Sequence, residues 1–366
     1  MGIITTVHDK GKPIYDISLE TGFDHFANVC ETLKIKERKV CLVTDSNVAN
    51  YHKETLLKFL NDRCHCKTVN EFVFLAGEEN KQLDSIKQLY AYLIEEKFDR
   101  NDYLFALGGG VIGDMTGFAA ATFLRGISFV QIPTSLLAMA DSSIGGKTGV
   151  DFDSYKNMVG AFHQPKAVYI NVRLLDTLPE REFYSGFGEI IKHGLIRDRE
   201  YYLWLKENAE KIFLKDQEIL KEMIYRNNEV KRHIVENDQK EQGERVLLNF
   251  GHTLGHSIEK FLHFRLLHGE CVSLGMVGAA FISAERGLLS KEELQDIKMA
   301  LKLYHLPVSY QGLDVEKVLE YMKNDKKMIA GKVKFILLDG IGNAVIDKTV
   351  TEEEMKQAIQ YLSIED

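Results

Sequence analysis

The sequence lacks any long uninterrupted run of apolar residues. Its apolar residues, 45% of the chain, fall in short segments broken by charge, and the opening stretch MGIITTVHDKGK has no long apolar core. This pattern predicts neither a membrane span nor a secretory signal and favours a cytoplasmic protein. With 366 residues, the chain is long enough for two domains.

Two further features are absent, a disulfide framework and a block of like charge. The five cysteines are scattered and odd in number, which predicts reduced thiols. The formal net charge is −8, and acidic and basic residues are interspersed. The composition therefore predicts that the protein binds neither nucleic acid nor an anionic membrane surface. Any cationic site must then be formed by a few individual lysines and arginines.

The two halves of the chain differ in their hydrophobic pattern. Up to about residue 175, β-branched segments alternate with helical ones, and from Pro179 onward long amphipathic helices dominate. The predicted strands are KVCLVTD (39–45), VNEFVFLAG (69–77), DYLFALGGG (102–110), ISFVQIPTS (127–135) and AVYINV (167–172). We predict an α/β protein with a parallel-sheet domain at 1–175, a mainly helical domain at 176–366, and a late hairpin in VKFILLDGIGNAVI.

Glycines follow the predicted strand at 102–110. Gly108, Gly110 and Gly113 match the GxGxxG register, and Asp114 comes next. Bare backbone N–H groups at such a turn bind phosphate well, although the glycines would also suit a tight strand-to-helix turn with no ligand. Asp45, at the end of an earlier strand, suits either ribose hydroxyls or a plain helix N-cap.

The segment PTSLLAMADSSIGGKTGVD at 133–151 reads as a loop rich in hydroxyls and glycine. It carries Asp141 and Lys147, and Lys156 and Asn157 follow soon after. Such a loop brings ammonium and amide donors onto an anionic group. Taken singly, each of these lysines also fits a solvated surface position.

Histidines are concentrated in LNFGHTLGHSIE. His252, His256 and Glu259 share one helix face by their spacing, which suits either an exposed polar stripe or half of a metal site. Glu189 in GEIIKHG and His268 in HGE favour the metal site, because two imidazoles and a carboxylate leave positions open on Zn²⁺. Spacing alone does not decide which histidines bind, and His193 and His263 compete.

Basic residues accompany these candidate ligands. Lys192, Lys231 and Arg245 would suit a small, multiply anionic and polyhydroxylated substrate such as a phosphorylated sugar acid.

Six motifs occur together and in order along nearly the full chain. They are GGGVIGDMTGF, IPTSLLAMADSSIGGKTGVD, KNMVGAF, GEIIKHGLI, NFGHTLGHSIE and HGECVSLGM. The combination resembles the 3-dehydroquinate synthase family of sugar phosphate cyclases. Iron-type alcohol and glycerol dehydrogenases share only the general two-domain plan.

The resemblance implies an N-terminal NAD domain, a C-terminal helical metal domain and a sugar phosphate substrate between them. It also implies Zn²⁺ or Co²⁺ and a homodimer. The reaction would convert 3-deoxy-D-arabino-heptulosonate 7-phosphate to 3-dehydroquinate and phosphate, by transient NAD oxidation, phosphate elimination, reduction and aldol closure. This is chemistry of the shikimate pathway.

The resemblance also assigns residues. The implied metal ligands are Glu189, His252 and His268. The implied cofactor contacts are Asp45, Asn47, Glu78, Lys81, Gly110, Val111, Ile112, Gly113, Asp114, Thr134, Ser135, Lys147, Lys156, Leu174, Leu175, Asp176 and Thr177. The implied substrate contacts are Arg125, Lys147, Lys156, Asn157, Lys192, Lys231, Arg245, Asn249 and His256, with Arg125 reaching the neighbouring subunit's site.

The predicted catalytic residues are Asp141, Lys147, Lys192 and His256. His256 would move protons, and Asp141 would orient Lys147 or a substrate hydroxyl. Two alternatives to this reaction stay open. A related cyclase would act on a heptulose phosphate without the acid group, and an NAD-dependent polyol dehydrogenase would accumulate NADH.

Overall fold

The computed structural model describes residues 2–153, 155–324, 328–329 and 332–364. The chain forms two compact units. The first comprises Met1–Leu178 with Leu220–Tyr225, and the second comprises Pro179–Ile219 with Arg226–Asp366. In the described part of the chain, no helix is both long enough and apolar enough to cross a membrane.

The strands lie mostly in the first unit. They are β1 (Ile3–Asp9), β2 (Lys12–Glu20), β3 (Lys39–Asp45), β4 (Thr68–Phe74), β5 (Tyr103–Gly108), β6 (Ser128–Pro133), β7 (Lys147–Phe152), β8 (Tyr155–Phe162), β9 (Ala167–Asn171), β10 (Met328–Ile329), β11 (Lys332–Val333), β12 (Phe335–Leu338) and β13 (Ala344–Asp347).

The α-helices dominate the second unit. They are α1 (Phe26–Thr32), α2 (Ser46–Val48), α3 (Glu54–Phe59), α4 (Leu83–Glu95), α5 (Gly110–Thr122), α6 (Glu180–Arg197), α7 (Arg199–Phe213), α8 (Gln217–Asn237), α9 (His252–Phe261), α10 (His268–Glu285), α11 (Lys291–Leu303), α12 (Val315–Asn324) and α13 (Glu352–Leu362).

A seven-stranded sheet organises the first unit, in the order β1-β2-β9-β6-β5-β3-β4. All five strands predicted from the sequence are present and pair in parallel. The central strands β5, β6 and β9 are almost entirely buried, which explains their continuous apolar runs. The pair β1 and β2 adds an antiparallel edge that the sequence pattern did not reveal.

The segment predicted as a loop at 133–151 is more regular than expected. It contains a π-helical turn, Ala138–Ser142, and then β7, which pairs with β8 in an antiparallel hairpin. Lys147 begins β7, while Lys156 and Asn157 lie on β8. Glycine-rich strands of this kind have a weak period-2 signal, because glycine adds nothing to either face.

Helix α6 begins where the sequence predicts the first long helix. Pro179 is the N-cap of α6, where its missing N–H costs no helical hydrogen bond. The late hairpin is confirmed as β12 and β13, in antiparallel pairing. It is joined to α10 by a hydrogen bond from the Leu338 backbone N–H to the Ser283 hydroxyl oxygen.

Candidate metal centre and nucleotide-binding turn

Three side chains of the second unit converge around one carboxylate oxygen. The Nε2 atoms of His252 and His268 lie 3.4 Å and 3.2 Å from Oε1 of Glu189. Donor atoms at about 2.0–2.2 Å from a tetrahedral zinc lie about 3.3–3.6 Å apart, so these separations suit a metal ion at the centre of the group. The sequence-based choice of this trio therefore agrees with the donor geometry.

The carboxylate of Glu189 is completely buried and next to the equally buried ammonium of Lys192, which donates to Oε2. Burial by itself raises the pKa of Glu189, but the charges of Lys192 and His252 and the hydrogen bonds from both imidazoles outweigh it. The pKa therefore lies well below its usual range. Glu189 is therefore an ionised carboxylate at neutral pH.

The surroundings of His252 also suit a neutral imidazole. Its Nδ1 lies 3.2 Å from the Phe250 carbonyl oxygen, so a neutral ring with its proton on Nδ1 would donate a hydrogen bond there, and Nε2 would offer a lone pair to a metal ion in place of its hydrogen bond to Glu189. Burial lowers the pKa of His252, and the attraction of Glu189 offsets only part of this effect. A neutral imidazole is the form that binds a metal ion.

Glycines bring the three ligand-bearing helices together. A Cβ atom at Gly269 would lie 1.8 Å from the Ser185 carbonyl oxygen, so α10 touches α6 beside His268 and Glu189. A Cβ atom at Gly275 would lie 1.8 Å from the Gly251 carbonyl oxygen, just before His252. The backbones approach this closely only because neither residue has a side chain.

The other histidines that the sequence offered differ in their surroundings. A ring nitrogen of His193 lies within 4.8 Å of a Glu189 carboxylate oxygen. His193 is fully buried and its Nδ1 donates to the Asn227 amide oxygen at 2.7 Å. His263 follows α9 in an exposed position with φ +50°. His256 is close to the trio, with ring centroids 5.1 Å from His252 and 5.8 Å from His268.

The predicted substrate-binding cations of this unit are buried. Lys231 lies on α8 and is 5% exposed, and Arg245 is 2% exposed and donates from Nη1 to the Gln239 carbonyl oxygen at 2.7 Å. Asn249 donates from its amide to Glu241 at 2.6 Å. Buried cations of this kind are costly unless anionic or polar partners surround them.

In the first unit, the glycine-rich turn joins β5 to α5 as predicted. Gly109 is the N-cap, and the first helical hydrogen bond runs from Gly113 N–H to the Gly109 carbonyl oxygen. The N–H groups of Gly110, Val111 and Ile112 therefore have no acceptor within the helix. These donors at a helix N-terminus suit a phosphate group, and a Cβ atom at Gly110 would meet the Ser142 hydroxyl at 3.0 Å.

Several predicted cofactor residues form one ionic network in this unit. Lys81 is 4% exposed, and its ammonium donates to Asp114 at 2.7 Å and to the side-chain oxygen of Asn157 at 2.6 Å. Burial lowers the pKa of Lys81, but Asp114 and Glu78 raise it more, so the group stays charged. Lys156 pairs with Glu78 at 3.5 Å.

Sequence reasoning missed Asp151 as a member of this network. Its carboxylate accepts from the Asn157 backbone N–H at 2.7 Å, and its own N–H donates to the Lys81 carbonyl oxygen at 2.8 Å. Asn157 has φ +51°, a conformation that asparagine tolerates better than most residues. No local signal marked Asp151, because its partners meet it only across the hairpin.

The remaining predicted cofactor residues lie at the ends of strands. Asp45 ends β3 and accepts from the backbone N–H groups of Asn47 and Val48, so the N-cap reading of Asp45 is confirmed. Thr134 follows β6, and its N–H donates to the Gly108 carbonyl oxygen at 3.0 Å, while the Ser135 hydroxyl accepts from Ala138 N–H.

The segment Leu174, Leu175, Asp176 and Thr177 lies in the 3₁₀ turn Val172–Thr177 after β9. Both leucines are buried, whereas Asp176 and Thr177 are exposed. The Thr177 hydroxyl is 2.7 Å from His52 Nε2. This turn, like Asp45 and the glycine turn, stands at the carboxyl ends of parallel strands, where nucleotides bind in open α/β sheets.

Three further predicted residues belong to the first unit. Burial raises the pKa of Asp114, and the nearby charge of Asp141 adds to that rise, so Asp141 lies close to the Lys81 network. Asp141 is in the π-helical turn Ala138–Ser142, and Lys147 is exposed at the start of β7. Arg125 is exposed, with φ +68° beside Leu124 at φ +51°.

The fold is shared with solved structures of cyclases and dehydrogenases. 2-epi-5-epi-valiolone synthase from Streptomyces hygroscopicus, solved with NAD⁺ and Zn²⁺ bound, has a TM-score of 0.88 at 27% identity, covering 98% of this chain and 99% of that one. An iron-containing alcohol dehydrogenase from Thermotoga maritima has a TM-score of 0.67 at 14% identity, covering 100% of both chains. The architecture is thus that of two-unit α/β proteins in which a helical part follows a mostly parallel sheet.

Sequence comparisons narrow this class to one family. Family models described as 3-dehydroquinate synthase N-terminal and C-terminal match residues 71–185 and 186–328. The 3-dehydroquinate synthase of Acetivibrio thermocellus is 46% identical over 349 residues, 95% of each chain. That of Ruminiclostridium cellulolyticum is 47% identical over 341 residues, 93% of this chain and 94% of its own. The chain belongs to the 3-dehydroquinate synthase family.

Proposed function

We propose that this protein catalyses the 3-dehydroquinate synthase reaction, the conversion of 3-deoxy-D-arabino-heptulosonate 7-phosphate to 3-dehydroquinate and phosphate. The observation that carries the proposal is the convergence of Glu189, His252 and His268 beside the buried Lys192, in a chain of this family. Two neutral nitrogens and one carboxylate oxygen suit Zn²⁺ or Co²⁺ in a catalytic site that keeps positions open.

The cofactors would bind to different units. The glycine turn with Asp114 and the Lys81 network would hold NAD in the first unit, and the Glu189 trio would hold the metal ion in the second. When bound, the metal ion would lower the pKa of a substrate hydroxyl, and NAD would supply reversible hydride transfer. Because the hydride taken up by NAD would return to the substrate in the same turnover, no net NADH is expected.

The cations of the second unit would bind the acidic, hydroxylated part of the substrate. Lys192, Lys231 and Arg245 are each at most 5% exposed, so a substrate carboxylate would meet them where water screens charge poorly. Arg245 can bind a carboxylate with a planar pair of N–H groups. Asn249 would supply an amide for hydroxyl groups.

Proton transfer would fall to His256. It stands on the same helix face as His252, one turn further along α9, and its ring lies 5.8 Å from that of His268. An imidazole that is not a metal ligand can both accept and donate a proton near neutral pH. Asp141 would orient Lys147 or a substrate hydroxyl.

The phosphate would be bound by donors from the first unit. Lys147 begins β7, and Lys156 and Asn157 lie on β8 of the same hairpin. The Asn157 side-chain oxygen is engaged by Lys81, so its NH₂ group is the part left to donate to an anion or to nicotinamide.

The decisive assay supplies 3-deoxy-D-arabino-heptulosonate 7-phosphate, NAD⁺ and Zn²⁺, and follows phosphate and NADH together. We expect phosphate release without net NADH and loss of turnover on chelation. Turnover only of a heptulose phosphate without the acid group would assign another cyclase activity. NADH accumulation from a simple polyol would assign a dehydrogenase.

We also propose a cytoplasmic homodimer in which Arg125 reaches the site of the second copy. The exposure of Arg125 supports this proposal, because its guanidinium is accessible to a second copy of the chain. Mixing Arg125→Ala chains with chains inactivated at Lys192 tests it. If Arg125 acts in trans, each mixed dimer has one intact site out of two, so a randomly exchanged 1:1 mixture should regain about a quarter of wild-type activity; if Arg125 acts in cis, no activity should return.

A further inference from the structure

A second group of metal-binding side chains lies beside the Glu189 trio. His256 and Glu259 are three residues apart on α9, and His268 begins α10. One donor atom from each of the three lies within 4.8 Å of the other two. Residues at i and i+3 of a helix project from the same face, so His256 and Glu259 present their donors together.

The chemistry of this second group matches that of the first. Each group offers two imidazoles and one carboxylate, the donor set that suits Zn²⁺ or Co²⁺ with open positions. Glu259 is only 3% exposed, so its carboxylate is shielded from the screening effect of bulk water. The side chain of His268 is 28% exposed, so an ion can reach the group from solvent.

We propose that His256, Glu259 and His268 form a second divalent-cation site, which overlaps the Glu189 site through His268. A neutral imidazole has one lone pair for a metal, so His268 serves one ion at a time. The two sites therefore compete for the same ligand. Weakening the Glu189 site leaves His268 available to the second one.

Binding of a metal ion by the second group is a property separate from the proposed reaction. Its test is a titration of metal-free protein with Co²⁺, followed by visible absorption and by metal analysis after gel filtration. His252→Ala removes a ligand of the first site only. We expect this variant to bind about one Co²⁺ per chain, about tenfold or more weakly than wild type, with a shifted absorption band.

The double variant His252→Ala/Glu259→Gln decides between the sites. If the second group binds the Co²⁺ ion in His252→Ala, adding Glu259→Gln should weaken Co²⁺ binding by about a further tenfold. His263→Ala and Glu285→Gln are matched controls, because both side chains are exposed, and neither should change Co²⁺ binding. His252→Gln repeats the experiment with more of the side-chain volume kept.

Two results would overturn the proposal. The first is that His252→Ala and His252→Gln both fold but neither binds Co²⁺. The other is unchanged Co²⁺ affinity when Glu259→Gln is added to His252→Ala, which would leave Glu259 and His256 as a hydrogen-bonding pair. The titration uses no substrate, so a failed turnover assay and a failed metal titration are separate outcomes.

Discussion

The Nε2 atom of His268 lies 3.2 Å from Oε1 of Glu189, although 79 residues separate the two in the chain. His268 is also the one residue that the two candidate metal sites share. Its position at the start of α10 makes both sites depend on how that helix packs.

His268→Ala should abolish stoichiometric metal binding and turnover while the fold is kept. The side chain is 28% exposed and is not part of the apolar core, so its loss leaves no large cavity. Metal analysis of the purified variant, with circular dichroism to verify folding, tests this. His263→Ala is the control, and metal content equal to wild type in His268→Ala would refute the ligand assignment.

Gly269→Ala should separate α10 from α6. The new Cβ atom would overlap the Ser185 carbonyl oxygen, and overpacking of this kind costs about 1–3 kcal/mol in the free energy of unfolding. Metal affinity should fall as well, because His268 precedes Gly269 and moves with the helix. Urea unfolding and Co²⁺ titration measure both effects.

Gly22→Ala is the glycine control for this experiment. A Cβ atom there would meet nothing closer than 3.9 Å, and its φ lies outside the positive region, so little change is expected. If Gly269→Ala and wild type have equal stability and equal metal affinity, α10 and α6 can move apart at this contact without loss of free energy of unfolding.

Lys81→Met should weaken NAD binding by about tenfold, equivalent to about 1.4 kcal/mol, and should leave intact the glycine turn that we propose binds the phosphates. The substitution frees the Asn157 side-chain oxygen and leaves Asp114 without its cation. Unfolding free energy should fall by about 1–3 kcal/mol.

Fluorescence titration of NADH measures the affinity of the Lys81→Met variant. Lys87→Met, on the exposed face of the adjoining helix α4, controls for loss of a lysine. If the two variants bind NADH equally well, the Lys81 network has no part in the cofactor site.

Glu354→Gln should destabilise the second unit in a pH-dependent way. The bidentate hydrogen bonds from Arg286 lower the pKa of Glu354 from its ordinary 4.5 to about 2. Because the folded-state pKa is lowered, the stabilisation is complete above pH 4.5 and is lost as the pH falls toward 2. We expect a loss of about 1–2 kcal/mol at neutral pH.

Urea unfolding between pH 7 and pH 3 measures this difference, with the exposed Glu353→Gln as control. The gap between wild type and Glu354→Gln should stay constant down to about pH 5 and then narrow. A gap that widens in acid would show that the ion pair with Arg286 does not control the stability of this helix junction.

The sequence by itself determined the five parallel strands, the start of α6 and the residue types of the site. β3 occupies the predicted residues 39–45, because a strand buried on both faces reads as one apolar run. Pro179 marked the start of α6, and the six motifs identified the family. These signals are local, since they depend on neighbours within a few residues.

Only the tertiary structure decided which donors meet. The i, i+4 spacing places His252 and His256 on the same helix face and does not distinguish them. In the structure His252 lies next to Glu189, because glycine contacts allow α9 and α6 to pack closely against α10. His193 donates to Asn227, and His263 is exposed. The hairpin that joins Asp151 and Asn157 to Lys81 was likewise invisible in the sequence. Convergence of donors depends on how closely backbones pack across the fold, and a periodic pattern along the chain carries no information about that distance.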